Sequence, residues 1–479
     1  WANAGMRTEQ HVWNRIELAV ANKKYGLANY LSRLLPEQSR YLAGLAQRAA
    51  RNPAAIMRFN DYQNKDPREQ QIILAALPRL IWQDIDEAKR AWLHYQQVYD
   101  FSVRDRLNMH ERFGVTLAVR DEPGALYWFE QVPNGELTKQ GLQWKLAVLL
   151  RMQRFDRVSM FINALPEEVQ EKDQWLYWRA RALLALNFTE EGQEELAKVA
   201  KNRSYYGYLA SAHLNREPVL EHEPVLYAQS ELEALQRRPS MQRAIEFFAL
   251  ERNLQARREW NQIAYRGHYE EQVLSAVLAN ELGIYEQAIF TFARTGMFND
   301  VERRFPLAFY EVLKPHADSQ NLDLAWVYAI VRRESSFRVD AISPVGARGL
   351  MQIMPGTAEY LLSRMPGPAS RFSRQQLYNP EFNVRLGTRY LKELLQRSGN
   401  NWIVATAAYN AGIHRVQEWL PEVPVALDVW VETVPYEETR NYIKGVLAYQ
   451  QIYSILLGAQ NNVFMPLISM KVDASSDSG

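Results

Sequence analysis

Helix formers dominate the first 300 or so residues, and alternating apolar–polar runs are hard to find. That texture excludes sandwiches, barrels and doubly wound sheets for this part of the chain. A weak repeat lies within it. Trp144-Lys145-Leu146-Ala147-Val148-Leu149-Leu150 aligns with Trp178-Arg179-Ala180-Arg181-Ala182-Leu183-Leu184 at an offset of 34 residues. A short polar break follows each copy, near Gln153-Arg154 and near Asn187. Leu282-Gly283-Ile284-Tyr285 has the pattern of another helix pair. A 34-residue period belongs to helical hairpins, which bury their apolar faces only by stacking on one another. The expected fold is therefore all-α, beginning with an α-superhelix of helical-hairpin repeats.

Prolines and charges interrupt the helical pattern from Arg216 to Pro224 and again at Arg304-Phe305-Pro306. After residue 306 glycine-containing loops separate the helices, as expected for a compact α-rich domain. Asn379-Pro380 reads as an N-cap with proline at the first helical position. Val384, Gly387, Leu391, Leu394 and Leu395 share a face of that helix, and Gly399 is placed to end it. The last long helix begins near Glu437, with Tyr442, Val446, Tyr449, Tyr453 and Leu456 on its apolar stripe. The residues from Ala474 to Gly479 read as a frayed tail.

Composition narrows the function. With 56 Lys+Arg against 55 Asp+Glu, the chain is neither a polybasic nucleic-acid binder nor an acidic disordered chain. It has no cysteine, which excludes disulfides, thiolate nucleophiles and cysteine-based metal sites. Its longest unbroken apolar run, Leu324 to Val331, is far short of the ~20 residues that span a bilayer. No metal-binding zinc helix, phosphate loop or nucleophile elbow is present, and the histidines are scattered, so neither metal nor cofactor is expected. The chain begins at Trp1 with no signal segment, which suggests a processed or trimmed start.

The strongest chemical signal is a misplaced carboxylate. Asp323 to Ser335 reads as a helix with Val327, Ile330 and Val331 on one face, and Glu334 falls on that same face at its C-terminal end. Burial and the negative end of the helix dipole both favour the protonated acid. A carboxylic acid held protonated near neutral pH is what general-acid cleavage of a glycosidic bond requires. Periodicity leaves a second reading open, in which Glu334 pairs with Arg332, Arg333 or Arg338 or lies exposed in the last turn.

Three further segments carry polar tips among small residues. Gly346 to Pro355 has glycines that admit a tight loop, followed by Gln352 as an amide and Met354 as an apolar wall. Ala407 to Gly412 presents Tyr409 and Asn410 at a helix end. Pro435 to Tyr442 starts a helix with Glu437 and Glu438, where carboxylates suit the dipole whether or not they orient a ligand. Each reads equally as an ordinary loop corner, helix end or cap.

Together, Glu334-Ser335-Ser336-Phe337, Gly349-Leu350-Met351-Gln352-Ile353-Met354-Pro355, Ala408-Tyr409-Asn410-Ala411-Gly412 and Pro435 to Tyr442 resemble, in order and rough spacing, the motifs of the soluble lytic transglycosylases (Slt) of Gram-negative bacteria. The match covers about residues 320 to 455. The resemblance implies a superhelical U-domain over 1–238, a helical linker L-domain over 239–306 and a lysozyme-like catalytic domain over 307–479. This start is shorter than that of full-length members, so the family's ring is expected to be incomplete here.

The resemblance also implies the substrate: glycan strands of peptidoglycan, cut at the β-1,4 bond between N-acetylmuramic acid and N-acetylglucosamine to leave a 1,6-anhydromuramoyl end. Glu334 matches the catalytic glutamate. Ser335, Ser343, Gln352, Met354, Tyr409, Asn410 and Glu438 match glycan-contacting or site-supporting positions. No cofactor or nucleic acid is implied. A monomer in the periplasm is, with cell-wall synthesis proteins as candidate partners. The rival readings are a lysozyme-like hydrolase, with Asp340 or Glu438 activating water, and a glycan-binding scaffold without turnover.

Overall fold

The computed structural model describes residues 8–365, 372–459 and 462–474. Of the expected frayed tail, all but Ala474 lies outside the described residues. Two compact units divide the chain, Trp1–Pro166 and Glu167–Gly479. Helices build both. The named strands among the described residues are the two-residue pair Val425–Ala426 and Lys471–Val472, joined antiparallel.

The repeat read in the sequence is a helix–turn–helix unit. Lys139–Arg151 pairs with Phe155–Asn163 in the first unit, and Asp173–Ala185 with Thr189–Val199 in the second. Trp144 and Trp178, equivalent in the offset, are both buried. The turns are built alike. Gln153 and Asn187 adopt φ of +52° and +66°. The next amide reaches back over the helix end, Arg154 N to Leu149 O at 3.0 Å and Phe188 N to Leu183 O at 2.9 Å. This is the Schellman closure, which satisfies carbonyls that a helix end leaves without partners. Lys23, Glu251 and Gly283 play the same left-handed part in other hairpins. The turn depends on backbone geometry more than residue type, which is why the repeat is faint in sequence.

In the second unit the hairpin Asp173–Ala185/Thr189–Val199 and the helix Tyr205–His213 pack against the C-terminal helices through buried charge. The helix Leu427–Thr433 directs Asp428 and Glu432, one turn apart, at them. Asp428 pairs with Arg181 and accepts from Tyr177 Oη at 2.7 Å. Glu432 accepts from Tyr206 Oη at 2.5 Å, Trp178 Nε1 at 3.2 Å and Lys444 Nζ at 2.9 Å. Buried charges persist only where such partners meet them, so the network fixes how these helices dock.

The interruption around Arg216 to Pro224 is an irregular segment between Tyr205–His213 and Gln229–Gln236. Helix pairs from Gln229 to Arg294 then enclose a core around Trp260, Met241, Val277 and Phe292. Beyond them in the chain come Leu324–Glu334, Pro380–Arg397, Trp402–Ala411 and Glu437–Leu456, within the same compact unit. Asn379 Oδ1 accepts from Phe382 N at 2.9 Å, with Pro380 first in the helix, and Gly399 stands just past its end at φ +58°.

Candidate active site

Glu334 is the last residue of the helix Leu324–Glu334. Asp323 caps the other end, its Oδ1 accepting from Trp326 N at 2.6 Å. The residues Ala325 to Arg332 are buried, as expected for a helix through the core. What stops the helix at Glu334 is unusual: Ser336 and Phe337 are consecutive non-glycine residues in the left-handed region, at φ +52° and +67°. A buried phenylalanine in that conformation is strained, and such strain persists only where surroundings over-determine it. Ser335 supplies part of that determination. Its hydroxyl donates to Val331 O at 3.2 Å and accepts from Phe337 N at 3.1 Å. Arg332 reaches Ser336 Oγ at 3.1 Å.

The Glu334 carboxylate meets a tyrosine. Tyr442 Oη, from the helix Glu437–Leu456, donates to Glu334 Oε1 at 2.6 Å. Glu334 keeps some accessible surface, but protein encloses it on most sides. Loss of hydration raises its pKa to about 7, opposed by the Tyr442 hydroxyl and by Arg333, and assisted by the negative charge of Glu438. The arginines that could have locked it are otherwise placed. Arg332 donates to Arg304 O at 3.2 Å and lies over the rings of Phe305 and Tyr449. Arg338 holds Asp340 at 2.9 Å. Arg333 is exposed, with its guanidinium 5.9 Å from the centre of the Tyr442 ring.

The loop after Glu334 is clamped. Arg257, from the helix Asn253–Arg266, grips Asp340 with both ends of its fork at 2.8 and 2.6 Å, while its Nε binds Glu286 at 3.0 Å. Held by Arg257 and Arg338, Asp340 stays ionised, its pKa depressed to about 2 in spite of partial burial. It is a structural ion, not a base poised for water.

The glycine segment folds into a tight double bend. Ser343 N donates to Ala347 O at 2.9 Å, and Ser343 Oγ accepts from Ala347 N at 3.0 Å. Arg348 and Ile353 exchange both backbone bonds, at 3.1 and 3.0 Å. Gln352, at φ +48°, turns its amide inward to Ala341 O at 3.2 Å and Gly349 O at 2.9 Å. Met354 stands at the entrance of the helix Pro355–Ser363, 39% exposed.

Asn383, wholly buried, ties this loop to the helix Pro380–Arg397. Its Oδ1 accepts from Met351 N at 2.8 Å, and its Nδ2 donates to Arg348 O and Leu377 O, each at 2.9 Å. Gly349 is required by this packing. Its φ is +76°, and a Cβ there would lie 2.2 Å from Leu377 O and 2.4 Å from Asn383 Nδ2. We expect Gly349→Ala to cost roughly 2–3 kcal/mol in urea unfolding, because backbone and a buried amide cannot move aside.

Tyr409, near the end of the helix Trp402–Ala411, donates to Met351 O at 2.8 Å and lies close enough to Glu334 to feel its charge. Asn410 Oδ1 accepts from Thr439 Oγ1 at 2.7 Å, linking that helix end to the start of Glu437–Leu456. Glu438 is exposed in the first turn of the latter helix. The residues singled out in the sequence thus fall on segments that meet around Glu334, although the hydroxyl of Ser335 and the amide of Gln352 face inward. Sequence reasoning assigned no role to Asn383 or to the Arg257 clamp, and put Tyr442 on an apolar stripe and at the end of the Pro435 to Tyr442 segment without a role of its own. Tyr442 lies one turn after Glu438, so the segment was in view, but a tyrosine on a buried stripe carries no sign of what its hydroxyl touches.

Three family descriptions match the chain: the transglycosylase SLT domain over residues 311–426, the soluble lytic murein transglycosylase L domain over 234–301, and the soluble lytic transglycosylase helical domain over 433–461. The soluble lytic murein transglycosylase of Escherichia coli is 28% identical over 476 residues, covering 96% of this chain and 71% of that protein. The crystal structure of an inactive glutamate-to-glutamine mutant of lytic transglycosylase Slt from Pseudomonas aeruginosa superposes with a TM-score of 0.88 at 34% identity, covering 96% of this chain and 75% of that one. The chain belongs to the soluble lytic murein transglycosylase family. A second lytic transglycosylase structure, that of a 70-kDa soluble enzyme in complex with bulgecin A, matches with a TM-score of 0.85 at 27% identity, covering 98% of this chain and 75% of the other. The transglycosylase match takes in Glu334, its clamped loop, the glycine segment and Tyr409. The match over 433–461 takes in Tyr442.

Proposed function

We propose that Glu334 is the single acid and base of a lytic transglycosylase that cleaves the β-1,4 bond between N-acetylmuramic acid and N-acetylglucosamine in peptidoglycan. The observation that carries this is the state of its carboxyl, enclosed by protein, hydrogen-bonded by Tyr442 and balanced near neutrality. A group with a pKa near the working pH can give a proton and take one back.

The steps follow. Protonated Glu334 donates to the glycosidic oxygen, and the C1–O bond breaks with positive charge developing at C1 of the muramoyl residue. The new carboxylate is steadied by the Tyr442 hydroxyl. It then takes the proton of the C6 hydroxyl as that oxygen attacks C1, closing the 1,6-anhydro ring and restoring the acid. No water enters. Glycosidases that work through a second protein carboxylate hold it close to the first. Asp340 is unsuited to that task because two arginines neutralise it, and Glu438 is exposed at a helix start. An intramolecular hydroxyl has a high effective concentration and needs no second carboxylate.

Supporting roles follow from the contacts. Ser335 would fix the turn that presents Glu334. Ser343 and Gln352 would shape the glycine loop, with Met354 as an exposed apolar surface for a sugar. Tyr409 and Asn410 would hold that loop and the helix start together, and Glu438 would bias Glu334 toward its protonated form. The division into 1–238, 239–306 and 307–479 belongs to the same proposal, as does action in the periplasm on glycan strands. Among the described residues, no helix is long and apolar enough to cross a membrane.

Mass spectrometry of digested peptidoglycan tests the reaction. Muropeptide ends lighter by one water are expected. Reducing ends would establish a hydrolase, and unchanged strands a glycan-binding scaffold.

A further inference from the structure

A cavity of about 360 Å³ is bordered by Lys201, Arg203, Arg304, Glu221, Phe298, Phe305 and Tyr449. Among the described residues, none of its cations is ion-paired with a carboxylate. Arg203 donates only to neutral oxygens: Leu220 O, Glu221 O at 3.1 Å, Phe298 O at 2.6 Å and Asn299 Oδ1 at 3.2 Å. Arg304 Nη1 donates to Phe298 O at 2.7 Å, while its Nε is buried and finds no acceptor. Arg332, buried and outside the cavity lining, places a third guanidinium nearby, bonded to Arg304 O and Ser336 Oγ. The acids close by do not neutralise them. Asp300 is paired with Arg303 at 2.6 Å and acts on Arg304 only at a distance, and Glu221, an exposed lining residue, makes no ion pair with them. Burial, with lesser repulsion from Arg332 and Arg203, depresses the Arg304 pKa to about 10.

Cation–π contacts account for part of this arrangement. Arg304 lies 5.1 Å from the centre of the Phe298 ring, and Arg332 lies 5.3 Å from that of Phe305. Rings attract a cation but do not cancel its charge, and a buried unpaired donor remains costly. An oxyanion in the cavity would supply the countercharge.

We propose that this cavity binds a carboxylate of a peptidoglycan stem peptide, apart from the site that holds the glycan. The choice of peptide rests on the transglycosylase reading above. The chemistry is that of a short peptide of alanines and diacids: a carboxylate for the arginine cluster, methyl groups for Phe298, Phe305 and Tyr449, and a further carboxylate within reach of exposed Lys201. A volume of this size is in the range of pockets that hold small ligands.

The test uses the whole chain and the sugar-free tetrapeptide L-Ala-D-Glu-diaminopimelate-D-Ala, titrated by calorimetry. Saturable binding is expected. It should weaken about tenfold or more in Arg304→Met, several-fold in Lys201→Glu, and strongly when the peptide carboxylates are amidated. Lys201 is exposed, so its variant decides the matter should Arg304→Met fail to fold. Absence of saturable binding, or wild-type affinity in a folded Arg304→Met or in Lys201→Glu, would overturn the proposal. So would displacement of the peptide by equimolar inorganic phosphate, the mark of a generic anion site. Glycan turnover is assayed separately on the same preparation. Peptide binding without turnover would refute the transglycosylase reading and leave the pocket standing.

Discussion

Glu334→Gln is expected to lower turnover of peptidoglycan by at least about 10³-fold while glycan binding survives. General acid or base catalysis by one group contributes about 10²–10⁴-fold, and here one side chain does both in succession. Glutamine keeps the size and can still accept from Tyr442, but it can neither release a proton to the leaving oxygen nor collect one from the C6 hydroxyl. The same substitution should change stability in a pH-dependent way. The folded-state pKa of Glu334 is raised to about 7 from an ordinary 4.5. The folded protein therefore holds a proton that the unfolded chain has released, and this contribution is fully present below pH 4.5 and lost as pH rises through 7. Above pH 7 the wild type carries the whole cost of an ionised, desolvated carboxylate, of order 3 kcal/mol. Urea unfolding should find Glu334→Gln more stable than wild type at pH 8 by an amount of that order, with the gap shrinking toward pH 4.5. A variant that loses activity without this gain would mean that Glu334 is not held in the environment described.

Tyr442→Phe is expected to lower kcat/KM about ten- to a hundredfold and to move its alkaline limb to higher pH. The limb reflects loss of the protonated acid and should lie near pH 7 in the wild type. Tyr442 favours the ionised form by donating at 2.6 Å, so removing its hydroxyl raises the Glu334 pKa further. A hydrogen bond to a charged group contributes about 1.5–3 kcal/mol. The transition state, in which Glu334 becomes a carboxylate, should lose a comparable amount. The two effects have different signatures. Above the limb the variant has more protonated acid than the wild type, yet each acid transfers its proton more slowly. A variant with lowered activity and an unmoved limb would show that Tyr442 acts only through packing.

The helices, and the acid among them, were legible for a common reason. Val327, Ile330, Val331 and Glu334 share one face of one helix, and periodicity reports a face directly. The cap at Asn379, the glycine stop at Gly399 and the Trp144–Trp178 equivalence follow from equally local rules. What stayed hidden is long-range. The Tyr442–Glu334 bond spans 108 residues and the Arg257–Asp340 clamp spans 83. No local pattern encodes either. The left-handed pair Ser336-Phe337 was hidden differently. Neither residue type prefers that backbone, so only the surrounding bonds of Ser335 and Arg332 explain it. Asp340 shows the cost of proximity reasoning: it is near Glu334 in sequence and could have served a hydrolase, but the structure gives both of its oxygens to arginines.

Glu334 holds its proton up to about pH 7 because protein has displaced its water. The most direct measurement is the carboxyl titration itself, by carbon-detected NMR on glutamate-labelled protein, subtracting the spectrum of Glu334→Gln. One carboxyl titrating near pH 7 and absent from the variant is the predicted result. A Glu334 resonance titrating near 4.5 would mean that the carboxyl is hydrated like a free one.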